Sequence, residues 1–310
     1  MLSTGPISDI KEGRATVEGY NLDGSVIAYY EEPGAKAPPT QWHLRSHNAE
    51  HYGTKSVRSL LAGRKFPFPK SLYAVEDVLR LFVSKKPKAI ILDFFAGSGT
   101  TAHAVMRLNR QDSGMRQCIS VTNNEVGAIE QIELIAKKLR PGDSKWEELG
   151  ICDFITKPRI QSAITGKTPD GELISGDYKF TDKFPMSEGF EENAEFFTLT
   201  YEAQSAVNHN LAYARIAPLL WLRAGARGSR ISKLPVVGWQ LADTYGLLTE
   251  VDQATSFIHA VCQTKGVHIA YIVTDDDRRF QAVAKRLPNG VEPVRLYESY
   301  LTNFSFANGE

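Results

Sequence analysis

Ile90-Ile91-Leu92-Asp93-Phe94-Phe95-Ala96-Gly97-Ser98-Gly99-Thr100-Thr101 is the stretch that decides how this chain is read: an apolar strand, an acid, a glycine-rich turn and the start of a helix. A strand that ends on an acid and passes into two glycines lets a ligand lie against bare backbone at a helix N-terminus, where unpaired N–H groups favour polar atoms. The pattern is that of a nucleoside-cofactor loop. Only two of the three glycines of G-x-G-x-x-G are present, with Ala102 in the third place, which that pattern tolerates. A P-loop is excluded, because no Lys follows the last glycine. The plain alternative is a tight strand-to-helix turn whose glycines serve only the backbone.

Downstream, Ala102, Val105 and Met106 continue a helix and Cys118 to Thr122 form a second strand, so the unit reads β-α-β. A further helix carries Ile132, Ile135, Ala136 and Leu139 at helical spacing and breaks at Pro141-Gly142. Upstream, Ser71 is placed to cap a helix whose Val75, Val78, Leu79 and Phe82 form one apolar face, expected to pack on a core. Nearer the N-terminus, Ala15 to Tyr20 and Val26 to Tyr30 flank Asp23-Gly24 and predict a hairpin, followed by a Pro-rich loop from Pro33 to Pro39. Beyond residue 150 the sequence predicts turns at Thr168 to Gly171 and at Phe184 to Gly189. An acidic-aromatic stretch from Glu191 to Tyr201 is expected to end in a strand, followed by a helix over Leu211 to Arg223. A strand-helix-strand tail runs from Val267 to Leu296. Asp275-Asp276-Asp277 precedes the tail helix and reads as a cap complementing its dipole rather than as a metal site.

Composition narrows the function classes. Lys plus Arg equal Asp plus Glu at 36 each, so no whole-molecule basic field announces a polyanion and any such contact must be local. Residues 1 to 90 carry a small basic excess, 13 against 9, with Lys55, Arg58, Arg64, Lys65 and Lys70 beside aromatics. That cluster suits phosphate contacts, and a solvated basic face is the equal alternative. Cys118, Cys152 and Cys262 are scattered without zinc or disulfide spacing, which points to a reducing compartment. No apolar run approaches the ~20 residues needed to cross a bilayer. A cytoplasmic protein without membrane or metal is expected.

The run from Leu92 to Thr101 closely resembles motif I of S-adenosylmethionine-dependent DNA amino-methyltransferases, specifically the modification subunits of type III restriction systems and their relatives. Phe66-Pro67-Phe68-Pro69-Lys70-Ser71 resembles motif X of the same family, and the order X then I matches its permuted arrangement. The resemblance implies an α/β fold: a partial Rossmann-like methyltransferase sheet with an N-terminal β appendage and a C-terminal αβ region. It implies three segments, with 1–50 a remnant of the target-recognition region, 51–150 the cofactor-binding half and 151–310 a family-specific region. The cofactor implied is S-adenosyl-L-methionine, held by Phe68, Pro69, Lys70 and Ser71 together with Asp93, Phe94, Phe95, Ala96, Gly97, Ser98, Gly99, Thr100 and Thr101. Asn123 or Glu125, at the exit of the second strand, could meet the ribose or merely cap a helix.

The activity implied is methylation of the exocyclic amino group of adenine in double-stranded DNA, with Lys55, Arg58, Arg64 and Lys65 as DNA contacts. Such enzymes carry a D/N/S-P-P-aromatic tetrapeptide that holds the target amino group while its ring stacks on the flipped base. The nearest string here, Ala37-Pro38-Pro39-Thr40, lacks both ends of it. No catalytic residue is therefore assigned, and the N-terminal catalytic half is expected to be absent from this chain. The protein partners implied are an N-terminal methyltransferase half, a restriction subunit or a second copy in a homodimer. A non-catalytic cofactor-fold subunit, docking DNA or assembling a defence complex, is the alternative. A nicotinamide oxidoreductase is disfavoured by Phe94-Phe95-Ala96 inserted before the glycines.

Overall fold

The computed structural model describes residues 10–13, 15–29, 41–199 and 213–296. The chain divides into two compact units, Met1–Ala194 and Glu195–Glu310. In the first, β1 (Thr16–Tyr20) and β2 (Val26–Tyr29) form the expected antiparallel hairpin, whose turn is fixed by the Asp23 carboxylate accepting from the Ser25 N–H and hydroxyl. The Pro33–Pro39 loop lies outside the described residues.

A π-helical turn (Glu50–Thr54) leads into α1 (Lys55–Leu60), and α2 (Leu72–Val83) opens on Ser71, whose hydroxyl accepts from the Ala74 N–H. Strand β3 (Ile90–Asp93), α3 (Thr100–Asp112) and β4 (Gln117–Ser120) make the expected β-α-β element, with β3 and β4 parallel and Asp93 paired with Ser120. Two short helices follow, α4 (Ala128–Ala136) and α5 (Ser144–Glu147), then a π-helical turn (Cys152–Thr156) continuous with α6 (Lys157–Thr165).

One expectation about packing is corrected, and a second helix shows the same inversion. On α2 the core side is Leu72, Tyr73 and Glu76, while Val78 and Phe82 of the apolar stripe face solvent, Phe82 69 % exposed. On α4 only Leu134 is buried, and Ile132 and Ile135 point outward. The physical reason on α2 is an ionic lattice: Glu76 accepts from Arg107 Nε at 2.6 Å, Arg80 Nη2 at 2.7 Å and Gln111 Nε2 at 2.7 Å, which turns the polar side of the helix toward α3.

In the second unit a four-stranded sheet runs β5 (Trp239–Leu241), β6 (Tyr245–Leu248), β7 (Ile269–Ile272) and β8 (Glu292–Arg295), with β5 antiparallel and the others parallel. Alternation sends Tyr245, Leu247, Ile269 and Tyr271 toward α7 (Tyr213–Arg223). It sends Leu248, Ala270 and Ile272 toward α8 (Ala254–Gln263) and α9 (Asp277–Ala284). The tail therefore folds as expected, and Asp276 caps α9 by accepting from the Arg278 and Arg279 N–H groups. The β5–β6 pair was not foreseen. No strand occurs over 191–199, and residues 200–212, where that strand and the first turn of the following helix were expected, fall outside the described residues.

Candidate functional site

The glycine turn is an extension of the β3–β4 ladder. Val121 N–H donates to Asp93 O at 2.8 Å and Ala96 N–H to Val121 O at 3.0 Å, and Gly99 N–H closes the turn on Ala96 O at 2.8 Å. Gly97 and Gly99 both take positive φ, 50° and 74°, a conformation that side chains disfavour. Their environments differ. A Cβ on Gly99 would meet Thr156 and Ile160 of the helix beneath, so that glycine serves close packing of the chain on itself. A Cβ on Gly97 would meet the Phe66 ring at 3.4 Å, which brings the upstream aromatic-proline segment directly against the turn.

The side chains of the turn separate into two sets. Asp93 is half-buried and its carboxylate makes no hydrogen bond or ion pair among the described residues. Phe94 and Phe95 stand edge to face with ring centroids 5.3 Å apart, and Phe95 is 87 % exposed. Ala96, Ser98 and Thr100 are buried, contrary to the expectation that the hydroxyls of Ser98 and Thr100 are offered to a ligand. Both bond to a single guanidinium: Arg159 Nη1 donates to Thr100 Oγ1 at 2.7 Å, to Ser98 Oγ at 2.9 Å and to Ser98 O at 3.2 Å. Thr101 is half-buried.

Arg159 was missed in the sequence. It is fully buried, its Nε and Nη2 lack partners, and burial lowers its pKa to about 10, so it is still a cation at neutral pH. Thr156, one turn earlier, donates its hydroxyl to Gly97 O at 2.5 Å. The π turn and α6 thus act as a floor that fixes the glycine loop from below. A cation four residues after Ile155 and four before Ala163, on what is otherwise an apolar stripe, is the signal that would have revealed it.

Of the upstream segment, Ser71 is buried as a cap and its hydroxyl also donates to Ser46 O at 2.7 Å. Pro69 is buried with its carbonyl against Gly53, where any Cβ would approach to 2.4 Å. Lys70 is exposed. Phe68 is 93 % exposed on a left-handed backbone, φ 51°, a strained state for a bulky residue. At the exit of β4, Asn123 and Glu125 are exposed, and Glu125 lines a cleft of about 760 Å³ with Lys138, Arg140 and Trp146. Between them Asn124 is structural, donating to Glu147 O at 2.7 Å and accepting from Asp153 N–H at 3.0 Å. None of the glycine-turn residues lines that cleft.

Among the basic candidates, Lys55, Arg58 and Lys65 are exposed. Arg64 departs from the expected surface role: its Nη1 donates to Phe154 O at 2.8 Å and its guanidinium lies 4.3 Å from the Phe154 ring centre, which ties it to the π turn. Among the described residues there is no group of His, Cys, Asp or Glu suited to a metal and no helix long and apolar enough to cross a membrane.

Residues 11–162 match the DNA methylase family. The chain is 34 % identical over 120 residues to the Mod subunit of the type III restriction-modification enzyme EcoPI of Escherichia phage P1, a match covering 35 % of this chain and 18 % of that protein. It is 40 % identical over 90 residues to the StyLTI Mod subunit of Salmonella typhimurium, covering 28 % and 13 %. To the type II methyltransferase M.KpnI of Klebsiella pneumoniae it is 39 % identical over 85 residues, covering 27 % and 20 %. The matches span no more than about a fifth of the length of these relatives. Through residues 11–162, just under half of its length, this chain is similar to DNA methylases, among them methyltransferases of restriction-modification systems.

Proposed function

We propose that the first unit is the cofactor-binding part of a Rossmann-like, S-adenosylmethionine-dependent enzyme that methylates the exocyclic amino group of adenine in double-stranded DNA. The observation that carries this reading is the meeting of the two motif segments at Gly97, where the Phe66 ring closes on a turn flanked by an unpaired carboxylate and exposed aromatic rings. These residues fit a cationic nucleoside. Asp93 supplies an acceptor for amino or hydroxyl groups, and Gly97 lets the ligand approach the backbone. Phe94, Phe95 and Phe68 offer faces for a purine or a sulfonium. Lys70 stands ready for an anionic group on the ligand. When bound, the cofactor supplies an electrophilic methyl group for attack by the base nitrogen. Ser98, Thr100, Thr156 and Arg159 serve the same site indirectly, by holding the turn in its left-handed form. Asn123 or Glu125 is assigned to the ribose by its free side chain at the end of the neighbouring strand.

The residues that orient the target amino group come from sequence outside these 310 residues, since no D-P-P-aromatic tetrapeptide occurs within them. An apolar surface stands ready for such a partner: Ile90, Leu92, Ile119 and Phe94 are exposed on and beside the β3–β4 sheet. The same absence favours the second reading, a non-catalytic subunit that keeps the cofactor fold. Titration of the full chain with S-adenosylmethionine and with NAD, followed by a methyl-transfer assay with and without a supplied catalytic half, separates them. The proposal expects one S-adenosylmethionine site, weakened at least ~10-fold by Asp93→Asn, and transfer only when the catalytic half is present. Cofactor binding with no transfer under either condition selects the second reading, and NAD binding alone overturns both.

A further inference from the structure

A second cleft of the first unit, of about 740 Å³, is lined by Arg45, Tyr52, Lys179, Phe180, Lys183 and Phe184, together with Tyr178, Pro185 and the acid Asp177. It lies beyond residue 162 for most of its lining and shares no residue with the glycine turn. Its charges are sorted. The segment 177–188 contains three acids and two lysines, and two of the acids turn away to Arg110, Asp182 at 3.3 Å and Glu188 at 3.5 Å. Arg45, Lys179 and Lys183 are exposed and have no ion-pair partner among the described residues, leaving three cations against Asp177.

Aromatic rings line the same cleft and are braced by their neighbours. Tyr52, Tyr73 and Phe180 meet edge to face with centroids 4.7 to 5.2 Å apart. Phe180 is held at φ 69°, a left-handed backbone that a bulky side chain adopts only when its surroundings impose it. What imposes it lies beneath. Arg107, fully buried, lies 5.1 Å from the centre of the Tyr73 ring and 5.0 Å from that of Tyr178, and its Nη2 donates to Lys179 O and Asp182 O. Tyr73 Oη accepts from the Lys179 N–H at 2.8 Å, a further brace on the same turn. The turn is strained and buttressed, and the cleft it borders is lined by both unpaired cations and aromatic rings. It suits a polyanion whose backbone needs charge and whose sugars and bases need apolar faces.

We propose that this cleft is a backbone-contact site for duplex DNA, with Arg45, Lys179 and Lys183 on phosphates and the Tyr52–Phe180 rings against sugar. The inference rests on the reading of DNA as substrate and adds a contact surface apart from the cofactor turn. The neighbouring 50–60 segment reaches this region, through the Tyr52 ring against Phe180 and Ser59 donating to Ser175 O at 3.4 Å.

The test is fluorescence anisotropy of the full chain with a labelled ~25-base-pair duplex at stepped salt, comparing wild type with an Arg45→Ala, Lys179→Ala, Lys183→Ala triple variant. All three side chains are exposed, so the variant is expected to fold, and its S-adenosylmethionine titration serves as the check. The expected result is at least ~10-fold weaker DNA binding at low salt. The slope of log K against log salt should flatten by about 2 to 3, because each lost phosphate contact removes roughly 0.9. Duplex binding that keeps its affinity and slope in the triple variant overturns the cleft while leaving DNA as substrate. Tighter binding of heparin or RNA than of duplex at the same three residues assigns the cleft to another polyanion and overturns the proposal. Absence of duplex binding by the wild type at any salt removes the DNA reading itself.

Discussion

In the second unit, β6 and β7 are buried along their whole length, Tyr245, Leu247, Ile269 and Tyr271 under one helical layer and Leu248, Ala270 and Ile272 under the other. In the first unit, β3 and β4 are also parallel, yet Ile90, Leu92 and Ile119 face solvent, and the outward stripes of α2 and α4 add Phe82, Ile132 and Ile135. Parallel sheets persist where both faces are covered. The second unit meets that condition by itself, whereas the first presents a face built to be covered. The cores differ in kind as well. Every buried charged, amide, imidazole, Ser or Thr side chain among the described residues lies in the first unit, from Ser71 to Ser162, and the second is sealed by aliphatic and aromatic residues. The first unit is thus wired by a buried ion pair between α2 and α3 and by the Arg159 guanidinium under the glycine turn, and the second is held by ordinary apolar packing.

The sharpest test of that contrast is to cut the wiring. Glu76→Ala leaves Arg107 buried without its carboxylate, and removing one partner of a buried pair costs about 3–5 kcal/mol. Urea unfolding followed by segment-resolved hydrogen exchange should show the loss in the first unit alone. A comparable effect, about 3–5 kcal/mol, is expected from Phe257→Ala in the second unit, where the ring is fully buried. Phe82→Ala in the first unit should stay within about 0.5 kcal/mol, because the ring is exposed. A large loss from Phe82→Ala would mean that the exposed stripe is already covered, and the contrast would fail.

Acid should also divide the units. His103 is fully buried against Tyr178, with Nε2 2.8 Å from the phenol oxygen, and burial followed by the nearby Arg159 and Arg107 charges holds its pKa well below 6.5. The imidazole stays neutral when folded and takes a proton when unfolded. Its contribution is therefore complete above about pH 6.5 and is lost as pH falls below it, at up to about 1.4 kcal/mol per pH unit. Unfolding midpoints of the first unit between pH 7 and 5.5 should show this slope, and His103→Gln should flatten it. The smallest loss expected from a buried contact is that of Ser71→Ala, about 1 kcal/mol for a lost helix cap, measured by the same unfolding curves.

Local pattern made much of this legible. The hairpin at Asp23-Gly24, the Ser71 cap, the β-α-β element and the Asp276 cap all follow from short-range chemistry, and the structure forms each of them. What the sequence hid was which face of a helix is inside. Val78 and Phe82 on α2 share an apolar stripe, but periodicity does not reveal that Glu76 has Arg107, Arg80 and Gln111 waiting for it from α3 and its own helix. The same blindness concealed Arg159, whose partners Ser98 and Thr100 lie some sixty residues away in sequence. At the glycine turn the residue types were legible and their orientation was not: Asp93, Phe94, Phe95 and Gly97 are accessible, while Ser98 and Thr100 bond to the floor.

The central claim is a nucleoside cofactor seated where β3 turns through Gly97 against Phe66. Amide hydrogen exchange of the full chain, with and without saturating S-adenosylmethionine, tests it most directly. The account predicts slowed exchange over residues 93–101 and 66–71, with 122–126 following if the ribose reaches the end of β4, and no change in the second unit. Protection confined to residues 239–296, or tight binding that leaves 93–101 unaltered, would contradict it.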